Sequence, residues 1–568
     1  MSTHEHAAPD VALYDRVAAW VDEDPDPTTR EELSRLLEAA RAGDDAAHAD
    51  LADRFAGTLE FGTAGLRGAL GGGPNRMNRV VVGRAAAGLA AYLDARDLGG
   101  PVVIGYDARH GSEQFALDTA AIMRGAGRDA LLLPGPLPTP VLAFAIRRLG
   151  AAAGVMVTAS HNPPQDNGYK VYLGDGSQIV PPADVEIAAA IAAVGPYAQI
   201  PRADDWTVLD DEVVTAYVDA VVALSPATDR TLRVVTTPLH GVGGETLATV
   251  LALAGFSDLH VVASQAAPDP DFPTVAFPNP EEPGAIDAAL ELARAVDADL
   301  VIANDPDADR CALAVPGPDG DRDAWRMLRG DEVGALLAQH LLERGDVPAD
   351  GVLATSIVSS SLLGAIAAAA GVRHVETLTG FKWIGRVDGL AYGYEEALGY
   401  CVAPHLVRDK DGISAALLAC ELADRAKSAG RTLDDLLDDL ARRHGLHATD
   451  QLSVRVTVLG EISAAMQRLR ATPPEQLGGF AVVQADDLTT GSAELPATDG
   501  LRYRLAEGGR VVVRPSGTEP KLKCYLEVVV PVEQGREDDA ADGVAAARIV
   551  AAQRLDAIRV DLAEAAGL

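Results

Sequence analysis

Residues 300–310 read LVIANDPDADR and join an apolar run to an acidic loop. The apolar residues fit a buried strand, and alternate residues of an extended loop point to the same side. The pattern therefore predicts that Asp305, Asp307 and Asp309 converge on one point. Packed carboxylates repel one another unless a cation neutralises them, and such hard oxygen ligands suit Mg²⁺ or Ca²⁺. A solvated loop in an acidic protein is the alternative interpretation.

The same rhythm of apolar run and helical pattern extends along most of the chain, which predicts βαβ units, largely parallel sheets and an α/β class. The candidate strands are residues 102–104, 155–157, 232–235, 300–302, 352–357, 454–458 and 511–513. The first 55 or so residues read as acidic helices, with Thr28 and Glu31 fitting a capping box. From about Gln451 the pattern changes to α+β.

Composition narrows the classes of function. The chain has 568 residues and a net charge of −35, which repels polyanions, so we expect neither nucleic acid nor an anionic membrane as a partner. Its four cysteines are far apart in sequence, which fits a reducing compartment. No signal peptide is visible and no apolar run is long enough to span a membrane, so we predict a cytoplasmic protein.

Lysine is rare, and this makes each lysine informative. Against a background rich in arginine, a lysine offers a compact charge whose pKa burial can lower. Five of the six lysines lie within or beside the motifs described here. The six are Lys170, Lys382, Lys410, Lys427, Lys521 and Lys523.

A second loop follows the candidate strand 155–157 and reads TASHNP over residues 158–163. Ser160 precedes His161, but adjacent residues do not normally pair as nucleophile and base, and no G-x-S-x-G elbow is present. A phosphorylatable serine and a plain turn both remain open, because Asn-Pro is itself a turn signal. Lys170 follows closely in the segment NGYK.

Two further loops carry polar side chains. Residues 514–523 read RPSGTEPKLK, and the side chain of Arg514 with the hydroxyl and backbone donors of Ser516, Gly517 and Thr518 suits a phosphate nest. An ordinary hairpin turn is the alternative. Residues 393–399 read GYEEALG, where Glu395 and Glu396 could accept hydrogen bonds from sugar hydroxyls or could cap the next element.

Together these motifs resemble the α-D-phosphohexomutase superfamily of phosphoglucomutases and phosphomannomutases. The resemblance covers nearly the whole chain in order and rests on FGTAGLRG (61–68), TASHNP, DPDADR, EEALG and RPSGTEPKLK. The segments NGYKVY (167–172), TLTGFKWIG (377–385) and RDKDG (408–412) are most similar to the phosphoglucomutase-2/phosphopentomutase-like branch.

The resemblance implies three related mixed α/β domains plus a C-terminal α+β domain around a central cleft. We expect residues 1–209 to hold the N-terminal helices and domain I with the phosphoserine loop. Residues 210–322 would form domain II with the metal loop, residues 323–447 domain III with the sugar loop, and residues 448–568 domain IV with the phosphate loop.

The implied activity is a mutase that interconverts hexose 1-phosphate and hexose 6-phosphate, with glucose as the first choice of sugar. It implies Mg²⁺, a sugar 1,6-bisphosphate as activator and intermediate, sugar phosphates as small-molecule partners, and a monomer or weak dimer. Mannose and pentose remain alternatives because the sugar loop has Ala397, where glucose-type members carry serine. Outside the family, a Mg-dependent sugar-phosphate phosphatase with an aspartate nucleophile and a non-catalytic sensor also remain open.

The resemblance also implies a role for each site residue. Ser160 would carry the phosphoryl group, and its phosphate would join Asp305, Asp307 and Asp309 around the metal. Arg67, Lys170 and Lys382 would act near the reacting oxygen. The residues expected to bind substrate are His161, Arg310, Glu395, Glu396, Arg514, Ser516, Gly517 and Thr518.

Overall fold

The computed structural model describes residues 11–62, 65–226, 229–317, 320–456, 459–493, 495–515, 521–533 and 540–567. The chain divides into two compact units. The first contains residues up to Ala314 together with His405–Leu418. The second contains Val315–Pro404 and Ala419–Leu568.

The first unit opens with three helices, α1 (Val11–Glu23), α2 (Pro27–Arg41) and α3 (Asp45–Arg54). Their buried leucines and valines join one core with the domain that follows. The predicted capping box of Thr28 and Glu31 is wrong. Asp26 is the N-cap of α2, accepting a hydrogen bond from the backbone of Thr28, and a proline at the first helical position fixes the backbone there.

A mixed sheet follows. Its strands are β1 (Leu66–Ala69), β2 (Val102–Tyr106), β3 (Ala130–Pro136), β4 (Ala153–Val157), β5 (Asp166–Leu173) and β6 (Thr207–Val208). The helices are α4 (Arg79–Ala95), α5 (Ser112–Gly125), α6 (Thr139–Arg148), α7 (Ala183–Ala192) and α8 (Glu212–Val222). The strand order is β1-β5-β4-β2-β3-β6, in which β1 and β5 run antiparallel to their neighbours.

This antiparallel pair departs from the expected parallel sheet. The loop between β4 and β5 is too short for a crossover helix, so β5 returns beside β4 in the opposite direction. Lys170 of β5 lies opposite Met156 of β4, and Gly168 lies opposite Arg67 of β1. The register therefore places Arg67 and Lys170 on neighbouring strands.

The next sheet has the order β8-β7-β9-β10 within the first unit. Its elements are β7 (Val234–Thr237), α9 (Gly244–Leu253), β8 (Leu259–Val261), α10 (Asp287–Val296), β9 (Leu300–Ala303) and β10 (Ala312–Gly317). Strand β9 is parallel to β7 and fully buried, as its apolar sequence predicts. The acidic loop connects β9 to the antiparallel β10.

The second unit begins with a third layered region and the sheet order β13-β12-β14-β15. Strand β11 (Asp321–Met327) comes first in the chain and is not part of this sheet. The elements of the region are α11 (Gly330–Arg344), β12 (Val352–Ser356), α12 (Leu362–Ala370), β13 (Arg373–Thr377), α13 (Phe381–Ile384), β14 (Leu390–Glu395) and β15 (Gly399–Cys401). Strands β13 and β14 are parallel to β12, which fits the predicted βαβ units.

The last region is built on an antiparallel sheet of order β16-β21-β20-β19-β18-β17. Two helices precede this sheet in the chain, α14 (Gly412–Ser428), whose first residues are counted in the first unit, and α15 (Leu433–His444). The helices of the last region are α16 (Leu459–Ala471) and α17 (Ala540–Ala566). Its strands are β16 (Leu446–Arg455), β17 (Gln476–Leu477), β18 (Phe480–Asp487), β19 (Leu501–Leu505), β20 (Arg510–Pro515) and β21 (Lys521–Val530). The predicted α/β class with a C-terminal α+β region is confirmed.

Among the described residues, no helix is both long enough and apolar enough to cross a bilayer.

Candidate active site

The acidic loop after β9 brings three carboxylates together, as the sequence predicts, but it does so through a turn and not through the extended loop that we expected. One oxygen from each of Asp305, Asp307 and Asp309 lies within 4.8 Å of the other two, and all three side chains are fully buried. Ala308 adopts a φ of 54°, and its N–H donates to the carbonyl of Asp305 at 2.8 Å. This tight turn points the aspartates inward instead of into solvent, so the solvated-loop interpretation is wrong.

Ser160 lies beside the acidic loop, in the turn that follows β4. Its hydroxyl donates to Asp305 Oδ2 at 2.7 Å, and its backbone N–H donates to Thr158 Oγ1 at 2.9 Å. Its φ is 53°, a left-handed conformation that non-glycine residues seldom adopt. The neighbouring His161 Nδ1 is farther from the hydroxyl, at 3.3 Å. The serine is therefore directed at the carboxylates.

Arg109, which the sequence reasoning missed, holds this turn. Its guanidinium donates to the carbonyls of Ser160, Asn162, Pro163 and Asp166 at distances between 2.6 and 3.3 Å. The segment Asp-Ala-Arg was the available signal, since it directly follows the buried strand β2, just as the serine turn follows β4 and the acidic loop follows β9.

Two lysines contact the triad. Lys170 Nζ lies 2.7 Å from Asp307 Oδ2 and 3.0 Å from Asp309 Oδ2. Lys410 Nζ lies 3.1 Å from the same oxygen of Asp309. Lys410 was not among the predicted site residues, although its presence among the few lysines was a usable signal.

These contacts set the charge of the triad. Burial, with the charges of Asp307 and Asp309, raises the pKa of Asp305 to about 8. Burial also acts to raise the pKa of Asp309, but the charges of Lys170 and Lys410 outweigh it and hold that pKa below its ordinary value. Burial acts to lower the pKa of Lys170, yet the two aspartates it contacts raise it, so Lys170 stays cationic.

The triad has the donor set of a divalent cation site. Oδ1 of Asp307 and Oδ1 of Asp309 are buried and accept no hydrogen bond from the described residues. Such orphaned buried oxygens are costly unless a ligand meets them. Hard carboxylate oxygens converging from one loop therefore fit Mg²⁺.

The remaining predicted residues of the first unit surround this loop. Arg310 donates from Nη1 to His161 Nδ1, and from its backbone to Asp305 Oδ1 at 3.0 Å. Burial, with the charges of Arg310 and Arg67, lowers the pKa of His161 well below its ordinary value, so the imidazole is neutral. Arg67 Nη1 lies 3.4 Å from Asn162 Oδ1, beside the serine turn.

The second unit carries the other predicted residues. Glu395 is buried at the end of β14, and Glu396 follows it and is partly exposed. Lys382 is on α13, with Nζ 5.4 Å from the ring centre of Trp383. Arg514 lies on β20 opposite Lys523. Ser516, Gly517 and Thr518 lie outside the described residues.

Comparison with known proteins agrees with this architecture. The family models for phosphoglucomutase/phosphomannomutase match the alpha/beta/alpha domains I, II and III at residues 58–198, 215–320 and 329–444. The model for the C-terminal domain matches residues 454–547. The chain therefore belongs to the phosphoglucomutase/phosphomannomutase family of the α-D-phosphohexomutase superfamily.

Three relatives illustrate the range of names in this family. A probable phosphomannomutase of Haemophilus influenzae is 49% identical, over 83% of this chain and 96% of its own length. A probable phosphoribomutase of Schizosaccharomyces pombe is 37% identical, over 91% and 94%. A putative phosphomannomutase of Thermus thermophilus has a solved structure with a TM-score of 0.65 and 25% identity, covering 87% of this chain and 99% of its own.

Proteins of this family are mutases, isomerases that act by intramolecular phosphoryl transfer in carbohydrate metabolism, and this chain is an enzyme of that class.

Proposed function

We propose that this chain interconverts glucose 1-phosphate and glucose 6-phosphate and carries the transferred phosphoryl group on Ser160. One observation carries the proposal: the Ser160 hydroxyl is held 2.7 Å from Asp305, inside a buried triad that Lys170 contacts. Phosphoryl transfer needs positioning and neutralised charge more than covalent chemistry, and this arrangement supplies both.

The reaction begins with phosphorylated Ser160. A sugar hydroxyl attacks phosphorus, so a sugar O–P bond forms while the Oγ–P bond breaks. A base of the site takes the hydroxyl proton, and Ser160 Oγ takes up a proton as it leaves. The product is a sugar 1,6-bisphosphate. After the bisphosphate turns over in the site, Ser160 Oγ attacks its other phosphate. The O–P bond between that phosphate and the sugar breaks, a base of the site takes the proton of Ser160 Oγ, the sugar oxygen takes a proton, and the phosphoserine is restored.

Several residues would neutralise the negative charge of the transferring phosphoryl group. Asp305, Asp307 and Asp309, with the Ser160 phosphate as a further ligand, would hold Mg²⁺. When bound, this ion neutralises charge on the transferring oxygens. Lys170 is held against the triad by its two aspartate contacts and keeps its proton there. Arg67 and Lys382 are proposed to act near the reacting oxygen.

We assign substrate recognition to four loops. His161 and Arg310 would contact the phosphate beside the serine turn, and Glu395 and Glu396 would read sugar hydroxyls. The phosphate that does not react would be held by Arg514, Ser516, Gly517 and Thr518.

We also retain the four proposed domains, which span residues 1–209, 210–322, 323–447 and 448–568. A cytoplasmic monomer or weak dimer remains our proposal for the state of the protein.

Mannose and pentose phosphates are the second candidates. Two relatives favour these sugars by their names. They are a probable phosphomannomutase that is 49% identical and a probable phosphoribomutase that is 37% identical. Ala397 offers no hydroxyl in the sugar loop, which also separates this chain from glucose-type members.

The test uses the full chain with Mg²⁺, glucose 1-phosphate and a catalytic amount of glucose 1,6-bisphosphate. We expect glucose 6-phosphate as the product, and kcat/KM for mannose 1-phosphate and ribose 1-phosphate ranks the sugars. Ser160→Ala should abolish isomerisation but retain substrate binding. The control Ser34→Ala, whose hydroxyl donates among the described residues only to the carbonyl of Arg30, should match the parent. Free phosphate as the main product would support the phosphatase alternative instead.

A further inference from the structure

A loop of hydroxyl side chains contacts the sugar-loop carboxylate Glu396. This serine loop, residues 356–361, follows β12 and reads SIVSSS. Ser356 Oγ and Ser359 Oγ each lie 3.0 Å from Glu396 Oε2 and 2.9 Å from one another. Both serines are at most 1% exposed, whereas Glu396 is partly exposed. The buried hydroxyls therefore contact a carboxylate that a ligand can reach.

The three contacts fix how the carboxylate is turned. The two serine hydroxyls have two protons for three contacts, and only one of them can donate to the other. When both protons are used in these contacts, at least one serine therefore donates to Oε2. The backbone N–H of Glu396 also donates to Ser359 Oγ at 3.1 Å, which ties the main chain to the same hydroxyl. No described residue donates a hydrogen bond to Oε1. The contacts thus engage one oxygen and leave the other as an acceptor for a ligand.

The serine loop is itself held from its other side. Glu527 of β21 accepts hydrogen bonds at Oε1 from Ser360 Oγ at 2.8 Å and from the backbone of Ser361 at 2.7 Å. Arg510 of β20 donates to the carbonyl of Ser359 and pairs with Glu527 at 2.9 Å. Because both strands hold the loop, its hydroxyls form a fixed support for the carboxylate.

We infer that Ser356 and Ser359 are positioning residues that present Oε1 of Glu396 to one hydroxyl of the sugar and thereby set the sugar preference. The inference rests on the proposed function, in which Glu396 reads that hydroxyl. It also accounts for Ala397: the hydroxyl groups that orient the carboxylate come from a different loop, 37 and 40 residues before Glu396 in the chain.

The test compares Ser356→Ala, Ser359→Ala and the double variant with the parent enzyme. The substrates are glucose 1-phosphate, ribose 1-phosphate and their monodeoxy analogues. A misdirected carboxylate loses a charge-assisted hydrogen bond, so we expect kcat/KM for the hydroxylated sugar to fall about 10- to 100-fold. The analogue that lacks the hydroxyl read by Glu396 should fall less than threefold, and Ser359→Thr should restore part of the loss.

The matched control is Ser361→Ala, which removes a hydroxyl of the same loop that contacts Glu527 instead of Glu396. It should keep the preference among sugars unchanged. Equal losses for the parent sugar and every deoxy analogue, or no loss at all, would overturn the inference.

Failure of the proposed function gives a different result. If calorimetry shows that the parent enzyme binds these sugar phosphates but no isomerisation is detected, the proposed function is wrong. The binding constants of the parent and the serine variants for the sugars and their deoxy analogues then still decide the role of the serines. If the parent neither binds nor converts any of them, both proposals are overturned.

Discussion

The carbonyl oxygen of Ser160 accepts a hydrogen bond from Arg109 Nη2 at 2.6 Å. The same guanidinium lies over the ring of Phe272, 4.9 Å from its centre, and 3.3 Å from the carboxylate of Asp107. Contacts with Phe272 and Asp107 thus hold Arg109 in place, and Arg109 in turn holds the serine turn. The left-handed backbone of Ser160 persists because the surrounding structure holds it.

Replacing Arg109 by lysine should therefore slow catalysis more than it weakens binding. Lysine lacks the planar fork that reaches several carbonyls at once, so the serine would no longer be held toward Asp305. We expect kcat to fall roughly 100-fold while KM changes less than threefold. Steady-state kinetics measure both, with Arg96→Lys in an exposed ion pair as the unaffected control. A rise in KM alone would contradict this role.

Asp309→Asn should weaken the binding of Mg²⁺. The variant removes a carboxylate charge from the buried triad, so Lys170 and Lys410 each lose one of their ionic contacts, while Lys170 keeps its contact with Asp307. We expect the apparent affinity for Mg²⁺ to fall at least about tenfold. The Mg²⁺-induced rise in Tm after chelation with EDTA measures this without any assay of activity. Asp205→Asn, at an exposed carboxylate, is the control, and an equal rise in Tm in both variants would refute the metal site.

The stability of the second unit should depend on pH through Asp331. Burial raises the pKa of this carboxyl to about 7. Between about pH 4 and pH 7 the folded protein holds a proton that the unfolded chain has released. The stabilising contribution is therefore complete below about pH 4 and is lost as the pH rises through about 7.

Asp331→Asn removes this titration. From pH 5 to pH 8 the free energy of unfolding of the variant should fall by about 2–4 kcal/mol less than that of the parent. Glu527, whose pKa is lowered to about 2, is ionised throughout this interval and adds little. Urea unfolding at the two pH values measures the difference, with the exposed Asp350→Asn as control. Parallel curves for all three proteins would contradict the prediction.

Gly330→Ala should displace the backbone of the sugar loop. A Cβ at Gly330 would lie 1.9 Å from the carbonyl oxygen of Glu396 and 3.1 Å from the backbone nitrogen of Leu398. Both are backbone atoms, so the loop must move to make room. We expect KM for the sugar phosphate to rise about tenfold or more, because in the proposed function Glu396 binds a sugar hydroxyl and must be held in place to do so. Gly99→Ala, where no atom lies within 4 Å of the added carbon, should leave KM unchanged.

Local patterns predicted much of the fold and part of the site. Apolar β-branched runs located strands such as β2, β4 and β9, because burial on both faces needs no distant information. The spacing of the aspartates in one loop was enough to predict that Asp305, Asp307 and Asp309 lie together, although a turn at Ala308 and not an extended backbone brings them there. The N-cap of α2 was misplaced by two residues, because Asp26 and Thr28 are both good caps and only the backbone distinguishes them.

Contacts between distant segments could not be predicted in the same way. Lys410 is 101 residues from Asp309 in sequence, and Arg109 is 51 residues from Ser160. The direction of β5 depended on the length of a turn, and the support of Glu396 depended on serines that read as an ordinary loop. In each case the contact depends on which strand ends lie next to one another in the folded sheets. A single sequence does not contain that information in its local patterns.

The return of His405–Leu418 to the first unit has a consequence for dissecting the gene. A fragment that ends at Ala314 would encode the serine turn, the acidic loop and Lys170, but it would lack Lys410 and the buried Asp409 that Tyr172 and Gln178 contact. The unit that carries Ser160 and the acidic loop is therefore not encoded by one continuous stretch of sequence. Its coding sequence is interrupted, and any split, fused or permuted version must carry this short segment along.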